Sequence, residues 1–294
     1  MTYMPMALSK QDRADLVQSF QHLEHPSFAA RLSSVIGTPI ELTLKLLPRQ
    51  WYRYLHRYVE ASIEGCLDVA MTSLVSKPSE APAANAYHKA VGMLTGAIGG
   101  FFGGPALILE LPATTTIMLR SIADIARSQG EDVDSEDTRF ACMQVFALGG
   151  RSKEDDATDT GYYGIRLALE ASMANASRFI AGQGMNGRAG APALVKLISM
   201  ISQRFGVVIS EKAAAELVPV IGAVGGALVN TIFIQHFQDM AWSHFTIRRL
   251  ERKYSPVLIQ AEYEKIAARQ RKPKTLIQAR TPNHLSLQWQ TSAI

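Results

Sequence analysis

Four glycines spaced four residues apart set the first constraint on how this chain can fold. Gly92, Gly96, Gly100 and Gly104 lie in "AVGMLTGAIGGFFGGPALIL", a run of 20 residues (90–109) without a charge. On a helix that spacing aligns them as a stripe without side chains, against which a second helix backbone can lie closely. Each glycine inside a helix costs about 1 kcal/mol relative to alanine, so four in register imply a return from packing. A second run, 217–238, has 22 residues without a formal charge and sets Gly222, Gly226 and Asn230 at the same spacing. The two runs are expected to pack on each other.

Length alone lets either run cross a bilayer, whose hydrocarbon core needs about 20 apolar residues of helix. Content is less favourable. Six glycines, Thr95 and Pro105 dilute the first run, and Asn230, Gln235, His236 and Gln238 interrupt the second. Composition favours a buried helical hairpin in a globular domain, and insertion in a membrane stands as the competing reading.

The remainder of the chain is helical in pattern, which predicts an all-α, multi-helix globular domain with the two glycine-rich hydrophobic segments at its centre. Residues 51–75 place Leu55, Val59, Ile63, Leu67, Met71 and Leu74 three or four apart, one apolar face of a long helix. Further helices are expected at 10–22, 83–101, 113–129, 135–148, 160–181, 192–204, 210–224, 228–252 and 256–271. Asp134 or Ser135 can cap the helix that follows, and Gly149 and Gly150 can end it in a left-handed turn. These signals divide the chain into an N-terminal helical segment (1–36), a helical domain (37–271) and a flexible polar and basic tail (272–294).

Apolar residues make up 47% of the chain and charged residues 19%, less charge than the roughly 25% of an ordinary soluble domain. The net charge of +4 is uneven: residues 248–280 hold ten Lys or Arg against three Glu, a local balance of +7. Such an end can meet anionic lipid, and because no aromatics interleave its charges, nucleic acid is not the expected partner. Cys66 and Cys142 match no disulfide or metal spacing and fit a reducing compartment. With no apolar stretch following a basic cluster at the N-terminus, no secretory signal is expected, and the cytoplasm is the expected compartment.

Two polar rows accompany the apolar runs. In "ATTTIMLRSIADIARS" Thr116, Arg120, Asp124 and Arg127 share one helical sector, with Glu110 shortly before them, and Arg120 and Asp124 can pair at i, i+4. In "GYYGIRLALE" Tyr162, Arg166 and Glu170 are four apart, an arginine between a phenol and a carboxylate that can hold a structural network or meet an anionic ligand. The simpler reading of either row is an ordinary solvated or salt-bridged face. Templates for catalysis fail: no G-x-S-x-G, H-E-x-x-H or phosphate-loop motif occurs, and "GQGMNG" lacks a strand before it. "RSKEDDATDT" lacks the glycine of a calcium loop. No metal and no cofactor is expected.

The blocks "ELPATTTIMLRSIADIARSQGEDV", "FACMQVFALGG", "GYYGIRLALE" and "PVIGAVGGALVNTIFIQHFQDMAWSHFTIRRL" occur in an order that resembles the EcsC family, over about residues 42–253. That resemblance implies a bacterial protein whose family takes its name from a gene beside those of an ABC transporter. It brings no catalytic residues with it. The family-like positions include Arg120, Asp124, Gly130, Gly149, Tyr162, Arg166 and Arg249. The expected function is that of a non-enzymatic accessory protein on the cytoplasmic side of a membrane, peripheral or integral, with the membrane surface or a membrane-protein complex as partner. The alternative is an enzyme or small-ligand binder with a pocket near Arg120, Asp124, Tyr162 and Arg166. A homo-oligomer built on the glycine stripes is a third reading.

Overall fold

The computed structural model describes residues 7–24, 27–45, 47, 49–73, 104–150, 161–183, 191–216, 218 and 222–271. Among the described residues there are ten helices and no strand. They are α1 (Lys10–Glu24), α2 (Phe28–Ile36), α3 (Ile40–Leu44), α4 (Arg49–Ser73), α5 (Gly104–Ser128), α6 (Glu136–Leu148), α7 (Tyr162–Gln183), α8 (Pro192–Glu216), α9 (Gly222–Lys253) and α10 (Pro256–Arg271). Gly92, Gly96, Gly100, the expected helix at 83–101 and the tail from 272 lie outside the described residues. Gly104 and Gly222 open α5 and α9, and Gly226 and Asn230 are buried in α9.

The short helix α6 occupies the centre. Every residue from Phe140 to Leu148 is buried, and α4, α5, α7, α8 and α9 all pack against it. Ser135 caps its start, its Oγ accepting from the Thr138 N–H at 3.3 Å. Along its far side runs α9, which also holds α1, α2, α5 and α10. At 1.5 Å per residue its 32 residues reach about 48 Å, long enough to serve as the spine of the bundle. Phe28, Phe146, Phe205, Phe233 and Phe237 knit α2, α6, α8 and α9 together, with ring centroids 5.1 Å apart for Phe146 and Phe205 and 5.3 Å for Phe233 and Phe237. Edge-on aromatic contacts of this kind add to what burial alone contributes.

Three expectations are corrected. First, α6 does not end in a left-handed turn: Gly149 has φ −69°, and of the described glycines only Gly37 and Gly130 have positive φ. The glycines at 149 and 150 answer a demand for space. A Cβ on Gly149 would strike the Phe237 ring, and one on Gly150 would strike the backbone carbonyl of Arg204. Second, the separate helices expected at 192–204 and 210–224 are one, α8, ending at Glu216. Gly206 is tolerated inside it because Ile201, Phe205, Val208 and Ile209 keep one buried face continuous across the glycine. Third, α5 does not start after Pro112 but carries it in its interior, where proline removes a single backbone donor.

Among the described residues α8 is the one helix long and apolar enough to cross a membrane. Its neighbours are helices: α2, α3, α4, α5, α6, α7 and α9 all touch it. Near its end Lys212, 2% exposed, reaches Glu216 at 3.5 Å and lies 5.2 Å from the centre of the Phe233 ring. A charge so placed needs the bundle around it.

Candidate functional site

The turn after α5 starts the polar centre of the molecule. Gly130, at φ 80°, reverses the chain, and the Glu131 N–H returns to the Ala126 carbonyl at 3.1 Å. This capping geometry favours glycine, and it delivers Glu131 under α9. Arg248 donates to both carboxylate oxygens of Glu131, at 2.9 and 3.2 Å, and to Asp137 at 2.7 Å. Arg252 donates to Glu131 as well and to the Gln129 carbonyl at 2.9 Å. Thr138 adds its hydroxyl to Glu131 at 3.2 Å. Burial alone would raise the Glu131 pKa, but the two guanidinium groups outweigh it and hold the carboxyl below its ordinary range.

One helix away, Arg166 of α7 donates to Glu251 of α9 at 2.8 Å, and the Tyr163 hydroxyl donates to the same oxygen at 3.2 Å. Arg166 also reaches the Tyr162 hydroxyl at 3.4 Å, and that hydroxyl bonds His244 Nδ1 at 2.9 Å. Glu24 closes the network from α1: Tyr263 donates to it at 2.8 Å and the Tyr162 N–H at 3.1 Å. Burial pushes the Tyr162 phenol up to about 12 and His244 well below the ordinary histidine value. The two clusters share a cavity of about 540 Å³, whose wall includes Glu131, Thr138, Arg166, Arg248, Glu251 and Arg252.

The sequence-derived candidates divide between this centre and other places. Tyr162 and Arg166 are brought together, but their carboxylate is Glu251, 85 residues further on; Glu170 is exposed. Asp124 pairs with Arg127 at 2.5 Å, and Arg120 is exposed. Thr116 bonds back to the Pro112 carbonyl at 2.9 Å within α5. Of Glu110 only the backbone is described. Sequence reading missed Glu131, Glu251 and the sites of Arg248 and Arg252. A signal was present in "TIRRLERK", where Arg248, Glu251 and Arg252 fall three and four apart on one side of a helix.

Among the described residues the first part of the basic end, 248–253, is committed within the fold. Besides Arg248 and Arg252, Arg249 pairs with Asp15 and Lys253 with Asp12, each at 2.7 Å. Cations free of such duty stand elsewhere. On the first turns of α4, Arg53, Tyr54, Arg57 and Tyr58 fill an outward sector of about 140° at 100° per residue, opposite the buried Leu55, Val59 and Ile63. Tyr54 is 56% exposed, and Leu42 on the neighbouring α3 is 57% exposed. Lys45, Arg53 and Arg57 have no ion-pair or hydrogen-bond partner among the described residues.

The EcsC protein family's profile matches residues 16–250, most of the chain. No curated protein and no solved structure matches it.

Proposed function

This chain belongs to the EcsC protein family, and we propose that it is a non-enzymatic accessory protein that docks on the cytoplasmic face of a membrane through the outer face of α4. The observation that carries this reading is the pairing of Arg53 and Arg57, without partners among the described residues, with exposed Tyr54 and Tyr58. Tyrosine favours the headgroup layer, and each arginine near an anionic surface contributes about 1 kcal/mol. The polar centre supports the non-enzymatic part. Its tyrosines and Arg166 are shifted away from neutrality, the opposite of what proton transfer at pH 7 requires.

Vesicle sedimentation tests the reading. The protein is expected to sediment with vesicles rich in phosphatidylglycerol, to stay in solution with pure phosphatidylcholine, and to be released by alkaline carbonate. The double variant Arg53→Gln, Arg57→Gln is expected to lose about 30-fold in vesicle affinity, from roughly 2 kcal/mol. Equal binding by the variant would sink the proposal. The cavity of about 540 Å³ favours a second reading, a small polar ligand held against Arg166 and Glu251. Such a ligand would raise the melting temperature of the native protein and not that of Arg166→Gln.

A further inference from the structure

We infer that the groove between α4 and α8 is a binding site for a single amphiphile, with an apolar body lying along Leu44, Leu55 and Val207 and a hydrogen-bond-donating head directed at Ser202 and Glu211. The groove encloses about 380 Å³. Most of its exposed wall is apolar although polar side chains, Gln203 and Ser210 among them, also line it, and that combination in such a volume suits a small amphiphilic molecule.

Two observations point to a ligand, and a third shows the room for it. Ser202 is 1% exposed and lines the groove, yet its hydroxyl has no hydrogen-bond partner among the described residues. A buried hydroxyl in that state is costly, and a polar ligand atom would relieve it. Glu211 is the one acidic group in the lining. Burial and the nearby Glu41 push its carboxyl up to about 7. Above that pH the carboxylate accepts a hydrogen bond and repels an anionic head, so the heads are to be compared at about pH 8. Of the other ionisable side chains in the lining, His56 is directed to Glu60 at 3.5 Å and the Tyr52 hydroxyl is bonded to backbone.

Gly206 is the third observation. Glycine disfavours a helix interior, and the glycines at 149 and 150 are explained by what presses on them. Nothing lies within 4 Å of where a Cβ on Gly206 would be, and Gly206 lines the groove. What the missing side chain leaves is room in the groove. The Tyr52 hydroxyl, bonded to the Leu44 carbonyl at 3.2 Å, ties α4 to α3 at the rim.

The inference stands apart from docking on membranes, because Tyr52 and Leu55 lie on a different side of α4 from Arg53 and Arg57. Calorimetry on the full chain with decylamine, decanol and decanoate tests it. Decylamine and decanol are expected to bind one per chain, and decanoate at least tenfold more weakly than decylamine. Gly206→Leu fills the groove and is expected to abolish binding of both. Glu211→Gln, which keeps the volume, is expected to weaken decylamine at least tenfold and to leave decanol within twofold, a split that a folding defect cannot produce. Arg53→Gln with Arg57→Gln is expected to leave all three unchanged. Absence of saturable decylamine binding, equal affinity for decanoate, or full binding by Gly206→Leu would overturn the assignment.

Discussion

Arg248 and Glu131, 117 residues apart in the chain, meet through two hydrogen bonds of 2.9 and 3.2 Å and so fix the turn after α5 to the last part of α9. Glu131 is 5% exposed at its side chain and serves Arg252 as well. Removing one member of a buried ion pair leaves the others desolvated and uncompensated. Glu131→Gln is therefore expected to lower stability by about 3 kcal/mol at pH 7, read from urea unfolding. Because the folded state holds this carboxyl below its ordinary pKa of 4.5, its contribution is present above that value and fades as pH falls through the folded one. The gap between native and variant protein should close in acid.

The glycines of α8 and of the α6 terminus make opposite predictions from one substitution. Alanine at 150 would drive a Cβ into the Arg204 carbonyl, which is backbone held at both ends of its helix, so Gly150→Ala is expected to cost about 2–3 kcal/mol. Alanine at 206 meets open space inside a helix, so Gly206→Ala is expected to raise stability by about 0.5–1 kcal/mol. Melting temperatures that move in the same direction would contradict this account.

How far the sequence carries depends on whether a feature is local. The face of α4 from Leu55 to Leu67, the Ser135 cap and the Tyr162–Arg166 step are all written in local spacings, and the structure contains each of them, while Met71 and Leu74 of that face lie outside the described side chains. Local reading failed where distant packing decides. Gly206 looks like a helix break, but the buried residues on either side of it continue one face. Gly149 and Gly150 look like a left-handed stop, but their neighbours are Phe237 and Arg204. Glu251 rather than Glu170 completes the Arg166 pair because α7 and α9 meet there, and no helical period encodes that meeting. The charge count at 248–253 likewise gave no sign that Asp12, Asp15, Glu131 and Asp137 would engage those cations.

Tyr162 and His244 share a hydrogen bond of 2.9 Å in a place from which water is excluded. Tyr162→Phe keeps the ring and its packing on Tyr163 and Tyr263 but leaves His244 Nδ1 without that partner. Its other ring nitrogen already has none among the described residues. The expected loss is about 1–3 kcal/mol, the cost of an unsatisfied buried polar group. Urea unfolding of Tyr162→Phe beside Tyr162→Phe, His244→Leu measures it: if His244 is the strained partner, the second change recovers part of the loss.

Glu211 gives stability a pH dependence of the opposite sign to that of Glu131. Its pKa rises from 4.5 to about 7 on folding, chiefly by burial, so between these values the folded state binds more protons than the unfolded one. Stability from this group is therefore fully present below about 4.5 and is lost as pH rises through about 7. At 1.36 kcal/mol per unit the full penalty approaches about 3 kcal/mol. Glu211→Gln keeps the volume and carries no charge. It is expected to match the native protein near pH 4.5 and to exceed it by about 2–3 kcal/mol at pH 8. Parallel stability profiles for the two proteins between pH 5 and 8 would assign that slope to other groups.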